Sequence, residues 1–161
     1  MKAYLVVTLT LFLAMWLSIV AVPQWALWAR PEWTLLVLIF WALYAPDRCG
    51  VFLAASVGLF QDGLTASVLG KHVLTYSLVI AVTVLTYKRL RMYAAWQQAA
   101  FVFLLVGLNQ LLGYWIGLAV GQQAVGMWFL YPALMSALLW PGMMILLRNS
   151  CMKAGLIRRM L

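Results

Sequence analysis

Apolar residues fill this chain in long runs that are broken at only a few places by charge, proline or glycine. Reading from one charged cluster to the next gives six runs, near residues 3–22, 31–45, 49–66, 72–87, 97–118 and 127–147. A helix needs about 20 apolar residues to cross the hydrocarbon core, with about 17 to 25 the usual range, and the first, fifth and sixth runs meet that outright. The second is short. At about fifteen residues it spans roughly 22 Å, so it must be buried by its neighbours or sit where the protein thins the bilayer. The third run is interrupted by Gln61, Asp62 and Gly63. The pattern predicts an all-α fold, a compact bundle of six transmembrane helices forming one integral membrane domain over residues 1–161.

Charge supports the two doubtful spans. Six crossings place both termini on one side, and with the N-terminus inside the cytoplasmic basic set is Lys2, Arg48, Lys88, Arg89, Arg91, Arg148, Lys153, Arg158 and Arg159, against Arg30 and Lys71 outside. That partition follows the positive-inside rule, and removing either short span sends one of the two strongest basic clusters to the wrong side. The arrangement is that of a multi-pass integral membrane protein. Composition agrees: 67% of the 161 residues are hydrophobic and 9% charged, where globular chains carry about 25% charged residues. The net charge of +8 sits at the ends of apolar runs, so a nucleic-acid partner is not indicated.

The first run follows a single lysine but exceeds the apolar core of about 7 to 15 residues typical of a signal peptide, so it reads as a retained span. Cys49 and Cys151 are in no metal-ligand spacing and read as reduced structural thiols. The turn after the first span holds Trp25, Trp28 and Trp33, which favour the headgroup level.

Catalytic chemistry finds little to work with. The only acids are Glu32, Asp47 and Asp62, with the single histidine His72, and no paired carboxylates, metal cluster, phosphate loop or nucleophile motif can be named. No cofactor is implied. Small residues say more. Gly50, Ala54, Gly58 and Asp62 recur every four residues, as do Asn109, Gly113, Gly117 and Gly121, and each set forms one helix ridge where another helix can approach closely. The ridges serve packing within the chain or contact with a partner's transmembrane helix; both readings stay open. Asn109 and Gln110 lie mid-span, where an unpaired amide is costly, and so line a polar pocket or bond across to another helix. The basic segments around Lys88, Arg89 and Arg91 and after Arg148 set orientation, press against anionic lipid, or dock a cytoplasmic protein.

Asp62 stands near the outer end of the third span. A carboxylate there opposes the helix macrodipole, so the expectation is an ion pair or charge-assisted bond to Arg30, Lys71 or nearby backbone amides, shaping the turn that ends at Leu69 and Gly70.

The segments RPEWTLLVLIFWALYAPDR, GLFQDGLTASVLG, RLRMYAAWQQA and LLWPGMMILLR fall in the order seen in the rod shape-determining protein MreD family, and from about residue 29 to 148 the chain resembles that family. The residues that carry the resemblance are Arg30, Pro31, Trp33, Pro46, Arg48, Gly58, Asp62, Leu69, Gly70, Arg89, Trp96, Gln97, Gln98, Trp140 and Pro141. The resemblance implies a non-enzymatic inner-membrane scaffold of the elongation machinery, working with MreC, the MreB filament, RodA and a penicillin-binding transpeptidase in side-wall peptidoglycan synthesis. Arg48, Lys88, Arg89, Arg91, Trp96, Gln97 and Gln98 become candidate cytoplasmic contacts. The family is also similar in fold to the substrate-binding subunits of energy-coupling-factor transporters. That keeps a second function open, a receptor for a small or lipid-linked ligand in a periplasm-facing pocket with Asp62, Asn109 and Gln110 in its wall.

Overall fold

The structure is a computed structural model that describes residues 2–20, 30–122 and 130–153. Trp25, Trp28, Arg158 and Arg159 lie outside the described residues. Six helices follow one another: α1 (Lys2–Leu17), α2 (Trp33–Tyr44), α3 (Val51–Thr65), α4 (Lys71–Leu90), α5 (Ala95–Ala119) and α6 (Tyr131–Lys153). The all-α expectation holds, with no strand among the described residues. By length and composition α4, α5 and α6 can each cross a membrane, whereas α1, α2 and α3 are shorter apolar helices.

The short second span is accommodated by burial. Every residue of α2 from Thr34 to Leu43 is buried, because α1, α4, α5 and α6 all pack against it. A helix that is apolar all round and enclosed on all sides has no lipid-facing stripe, so its 12 residues need not match the bilayer thickness. Trp41 and Phe40 at its centre meet edge to face, 5.5 Å apart. The indole of Trp41 has a polar edge that needs a partner when buried, and it donates to Thr10 Oγ1 of α1 at 2.9 Å.

Each of the other helices buries one stripe and turns the rest outward. In α1 the stripe is Val7, Leu11 and Ala14, while Phe12 and Trp16 are 78% and 67% exposed. Phe52, Leu85, Trp115 and Leu138 are exposed on α3, α4, α5 and α6. An apolar exterior that spans all these helices is far larger than the patches soluble monomers show. This is the surface of a membrane protein.

Helix ends depart from the hydropathy boundaries where charge marked the boundary. The sixth run ends at 147 but α6 continues through Arg148 to Lys153, and α4 continues through Lys88 and Arg89 to Leu90. Hydropathy senses where lipid ends. A helix closes its own backbone bonds and can continue into water with basic side chains in its last turn, where they meet the negative end of the macrodipole.

Candidate functional site

Asp62 occupies the last turn of α3 and is 1% exposed. The helix stops there because Ala66 adopts a left-handed conformation, φ 48°, and the amides of Ala66 and Ser67 both return to the Asp62 carbonyl, a common way of ending a helix. The chain re-enters a helix at Gly70, φ 95°, a backbone that residues with a Cβ rarely adopt.

As the N-cap of α4, Gly70 has no side chain with which to satisfy the first amides of that helix. Asp62 does so from the helix before. Its Oδ2 accepts the Gly70 N–H at 2.8 Å and its Oδ1 accepts the His72 N–H at 3.0 Å. Ser67 Oγ donates to Oδ1 at 2.7 Å and His72 Nδ1 lies 2.6 Å from it. The carboxylate thus meets the positive end of the α4 macrodipole, which offsets the unfavourable end of α3 on which it sits. Its bonds go to backbone amides, one of the expected alternatives. Among the described residues neither Arg30 nor Lys71 bonds it.

Serine, histidine and aspartate are the residue types of a hydrolytic triad, but the geometry here is a cap. Ser67 Oγ and Asp62 Oδ1 both approach the same ring nitrogen of His72, at 3.2 and 2.6 Å, whereas a relay needs hydroxyl and carboxylate on opposite nitrogens.

His72 also lines a polar pocket of about 250 Å³ with Arg30, Glu32, Gln61 and Gln110. Gln110 Nε2 donates to Glu32 Oε1 at 2.8 Å, and the Glu32 N–H donates to Ser136 Oγ at 3.1 Å. Arg30 donates to the carbonyls of Ser18 and Leu17, which fixes its guanidinium at the end of α1. Gln61 accepts from Thr34 at 3.1 Å, tying α3 to the start of α2. Gln110 therefore reaches the pocket, and the carboxylate in its wall is Glu32. Asp62 lies behind His72. Asn109 is 5% exposed and its Oδ1 has no partner among the described residues.

The two small-residue ridges do different things. A Cβ on Gly58 would lie 2.6 Å from the His72 carbonyl oxygen and 2.7 Å from the Val73 nitrogen, so α3 and α4 cross there backbone to backbone, with Ala54 also buried. On α5 the spaces are taken by side chains: Lys71 Cε lies 3.0 Å from a Cβ position on Gly113, and Gln122 Oε1 lies 2.7 Å from one on Gly117. Gly50 is the N-cap of α3. Gly121, φ 83°, turns the chain after α5.

At the other end of the bundle, the Arg48 guanidinium lies 5.5 Å from the Tyr4 ring centroid and that of Arg91 lies 5.7 Å from that of Tyr44. Lys88, Arg89 and Trp96 are exposed. Gln97 accepts the Ala94 N–H at 3.1 Å and so caps α5. Gln98 is turned inward: it is 4% exposed, donates to the carbonyls of Leu90 and Tyr93, and accepts from Trp140 Nε1. A buried amide with three internal bonds is not a cytoplasmic contact surface; it locks the α4–α5 turn onto α6.

Glu32, Gln61, Ser67 and His72 are site residues that the sequence did not single out. The available signal was proximity: Gln61 precedes Asp62 in an apolar run, and Ser67 and His72 lie five and ten residues beyond it.

The family model described as rod shape-determining protein MreD matches residues 1–150, a stretch that takes in the Asp62 cap, the pocket and the Gln98 lock. The chain is 29% identical over 120 residues to the rod shape-determining protein MreD of Haemophilus influenzae, covering 74% of each chain. No solved structure matches it. With all but the last three described residues inside the matched region, the chain belongs to the MreD family of rod shape-determining proteins.

Proposed function

We propose that this protein is a non-enzymatic, multi-pass scaffold of the bacterial inner membrane that holds the transmembrane helix of MreC and couples the cytoplasmic MreB filament to side-wall peptidoglycan synthesis by RodA and a penicillin-binding transpeptidase. Six crossings with both termini inside put the pocket that holds Glu32 and His72 at the periplasmic face and the Arg48 end at the cytoplasmic face, as the basic residues favour.

The observation that carries this proposal is a dry groove between α1 and α3. α1 rests on α2 and α3 rests on α4; between them opens a groove of about 510 Å³ whose walls include Phe12, Met15 and Trp16 on one side and Leu53, Val57 and Phe60 on the other. The hydroxyls of Thr8 and Ser56 in its wall bond to carbonyls of their own helices, so nothing polar is offered to an occupant. Such a groove suits an amphipathic or apolar helix laid along it, associating by van der Waals packing rather than by polar bonds. Gly58 and Ala54 are used within the chain, so the proposed contact is aromatic and aliphatic rather than a glycine ridge.

The test is complementation in rod-shaped cells depleted of their own MreD. The wild-type chain restores rods; a Phe12→Ala/Phe60→Ala double variant reaches the membrane at normal levels but leaves cells round. Rods restored equally by both would remove the groove from the function.

A second reading has its own observation, the polar pocket holding Arg30, Glu32, Gln61, His72 and Gln110. It accommodates a small polar or lipid-linked group at the periplasmic face. Native mass spectrometry of protein purified from membranes then finds a retained ligand that Glu32→Gln releases, and consistently empty protein counts against it.

A further inference from the structure

At the end of the bundle opposite Asp62 a second polar cavity, about 240 Å³, opens between the α2–α3 loop and the end of α4. Tyr44, Asp47, Arg48, Tyr87 and Arg91 line it. Two guanidinium groups against one carboxylate leave one positive charge in excess, and the carboxylate, on Asp47, is exposed.

Aromatic rings hold both arginines in place, Tyr4 for Arg48 and Tyr44 for Arg91. The ring face of Tyr4 orients the Arg48 guanidinium without neutralising it. The Nη1 of Arg48 is shut off from solvent and has no hydrogen-bond partner among the described residues. A buried charged donor left without an acceptor is costly, and an acceptor in the cavity would relieve it.

α2 and α4 both end here, and basic residues near a helix C-terminus answer its negative end. Lys88 and Arg89, both exposed, already do that from the last turn of α4. Arg48 and Arg91 differ in lining a cavity. Its surroundings are apolar: Tyr4, under Arg48, is 60% exposed, and Phe52, at the start of α3, is 92% exposed. In a bilayer, acyl chains packed on this exterior would lie beside the arginines.

We propose that this cavity binds the phosphate of an anionic phospholipid headgroup, held between Arg48 and Arg91. The planar fork of an arginine matches phosphate oxygens in pairs, and basic pockets at helix ends are a recognised form of lipid recognition. Assigning the site to the cytoplasmic leaflet rests on the six-crossing topology proposed above; the preference for an anionic headgroup does not.

The test uses the purified full-length protein in neutral detergent, with native mass spectrometry after addition of phosphatidylglycerol and phosphatidylcholine at equal concentrations. The wild type retains phosphatidylglycerol preferentially. Arg48→Gln lowers retention roughly tenfold, whereas Arg89→Gln, which removes the same charge outside the cavity, changes it less than about twofold. Arg91→Gln, expected to behave like Arg48→Gln, replaces it if that variant does not yield monodisperse protein. Displacement of the lipid by millimolar inorganic phosphate would support the anion site and assign it to a soluble phosphate group. Equal losses in the Arg48 and Arg89 variants, or equal retention of the two lipids, would overturn the proposal. A wrong topology would leave all of these results unchanged and would appear only in accessibility labelling of the Arg48 end.

Discussion

Asp62 and His72 are joined twice, through the His72 backbone N–H at 3.0 Å and through its ring Nδ1 at 2.6 Å, so that the last turn of α3 caps the first turn of α4. The arrangement depends on Gly70, whose left-handed backbone turns the chain, and whose missing side chain leaves the cap to be supplied from elsewhere. Removing the carboxylate strands two amides, whereas removing the imidazole leaves both backbone bonds in place.

Asp62→Ala should therefore cost about 2 kcal/mol, the loss of a strong cap with buried amides left unpaired. Asp62→Asn keeps an acceptor oxygen and should cost about half of that, and His72→Ala less again. Thermal melting of the detergent-solubilised variants gives the ranking; His72→Ala melting lower than Asp62→Ala would contradict the assignment of the carboxylate as a backbone cap.

Gly58 and Gly113 separate two kinds of small-residue position. Ala at Gly58 meets the backbone of His72 and Val73, which can yield only if the helices move apart, so Gly58→Ala should cost about 1 to 3 kcal/mol. At Gly113 the nearest atom is the flexible end of Lys71, and Gly113→Ala should lie within about 0.5 kcal/mol of wild type. Equal melting temperatures for the two would argue against the close crossing.

Much of this was visible in the sequence, and what was not has identifiable causes. Helix positions followed from apolar runs, and the shortness of the second run pointed to burial of α2 or to a thinned bilayer, of which burial is found. The need of Asp62 for a compensating partner followed from the electrostatics of a helix end, which left Arg30, Lys71 and nearby backbone amides as alternatives; the amides are the partners found. Its link to His72 did not, because it depends on the path of the turn from Ala66 to Gly70. The direction of the Gly58 ridge toward α4 was equally hidden: spacing shows that a face is small, not which helix covers it. Glu32 looked like part of an interfacial turn, and its bond to Gln110 joins residues far apart in the chain. The inward rotation of Gln98 reverses its expected place on the cytoplasmic surface, because polarity alone does not distinguish a buried amide that bonds carbonyls from an exposed one.

Gln98 gives a third prediction. Gln98→Leu is close in size but abandons the Leu90 and Tyr93 carbonyls and the Trp140 N–H, and should cost about 1 to 3 kcal/mol. Trp96→Ala, at an exposed position, should be neutral within about 0.5 kcal/mol. The two melting curves, read side by side, check which face of the turn is structural.

Cys49 and Cys151 are 0% and 2% exposed, so maleimide should label neither in folded, detergent-solubilised protein and both after denaturation in SDS. Rapid labelling of Cys49 in folded protein would mean that the α2–α3 loop opens.

Those silent thiols make the central claim directly measurable, because introduced cysteines can be read without background. Single cysteines at Phe12 and Phe60 in the α1–α3 groove, and at Leu104 and Leu138 on the exposed faces of α5 and α6, are paired in membranes with a cysteine scanned along the MreC transmembrane helix. Disulfide cross-links are expected from Phe12→Cys and Phe60→Cys with a helical periodicity along MreC, and none above background from Leu104→Cys or Leu138→Cys. Cross-links from the α5 or α6 positions with none from the groove would contradict that claim.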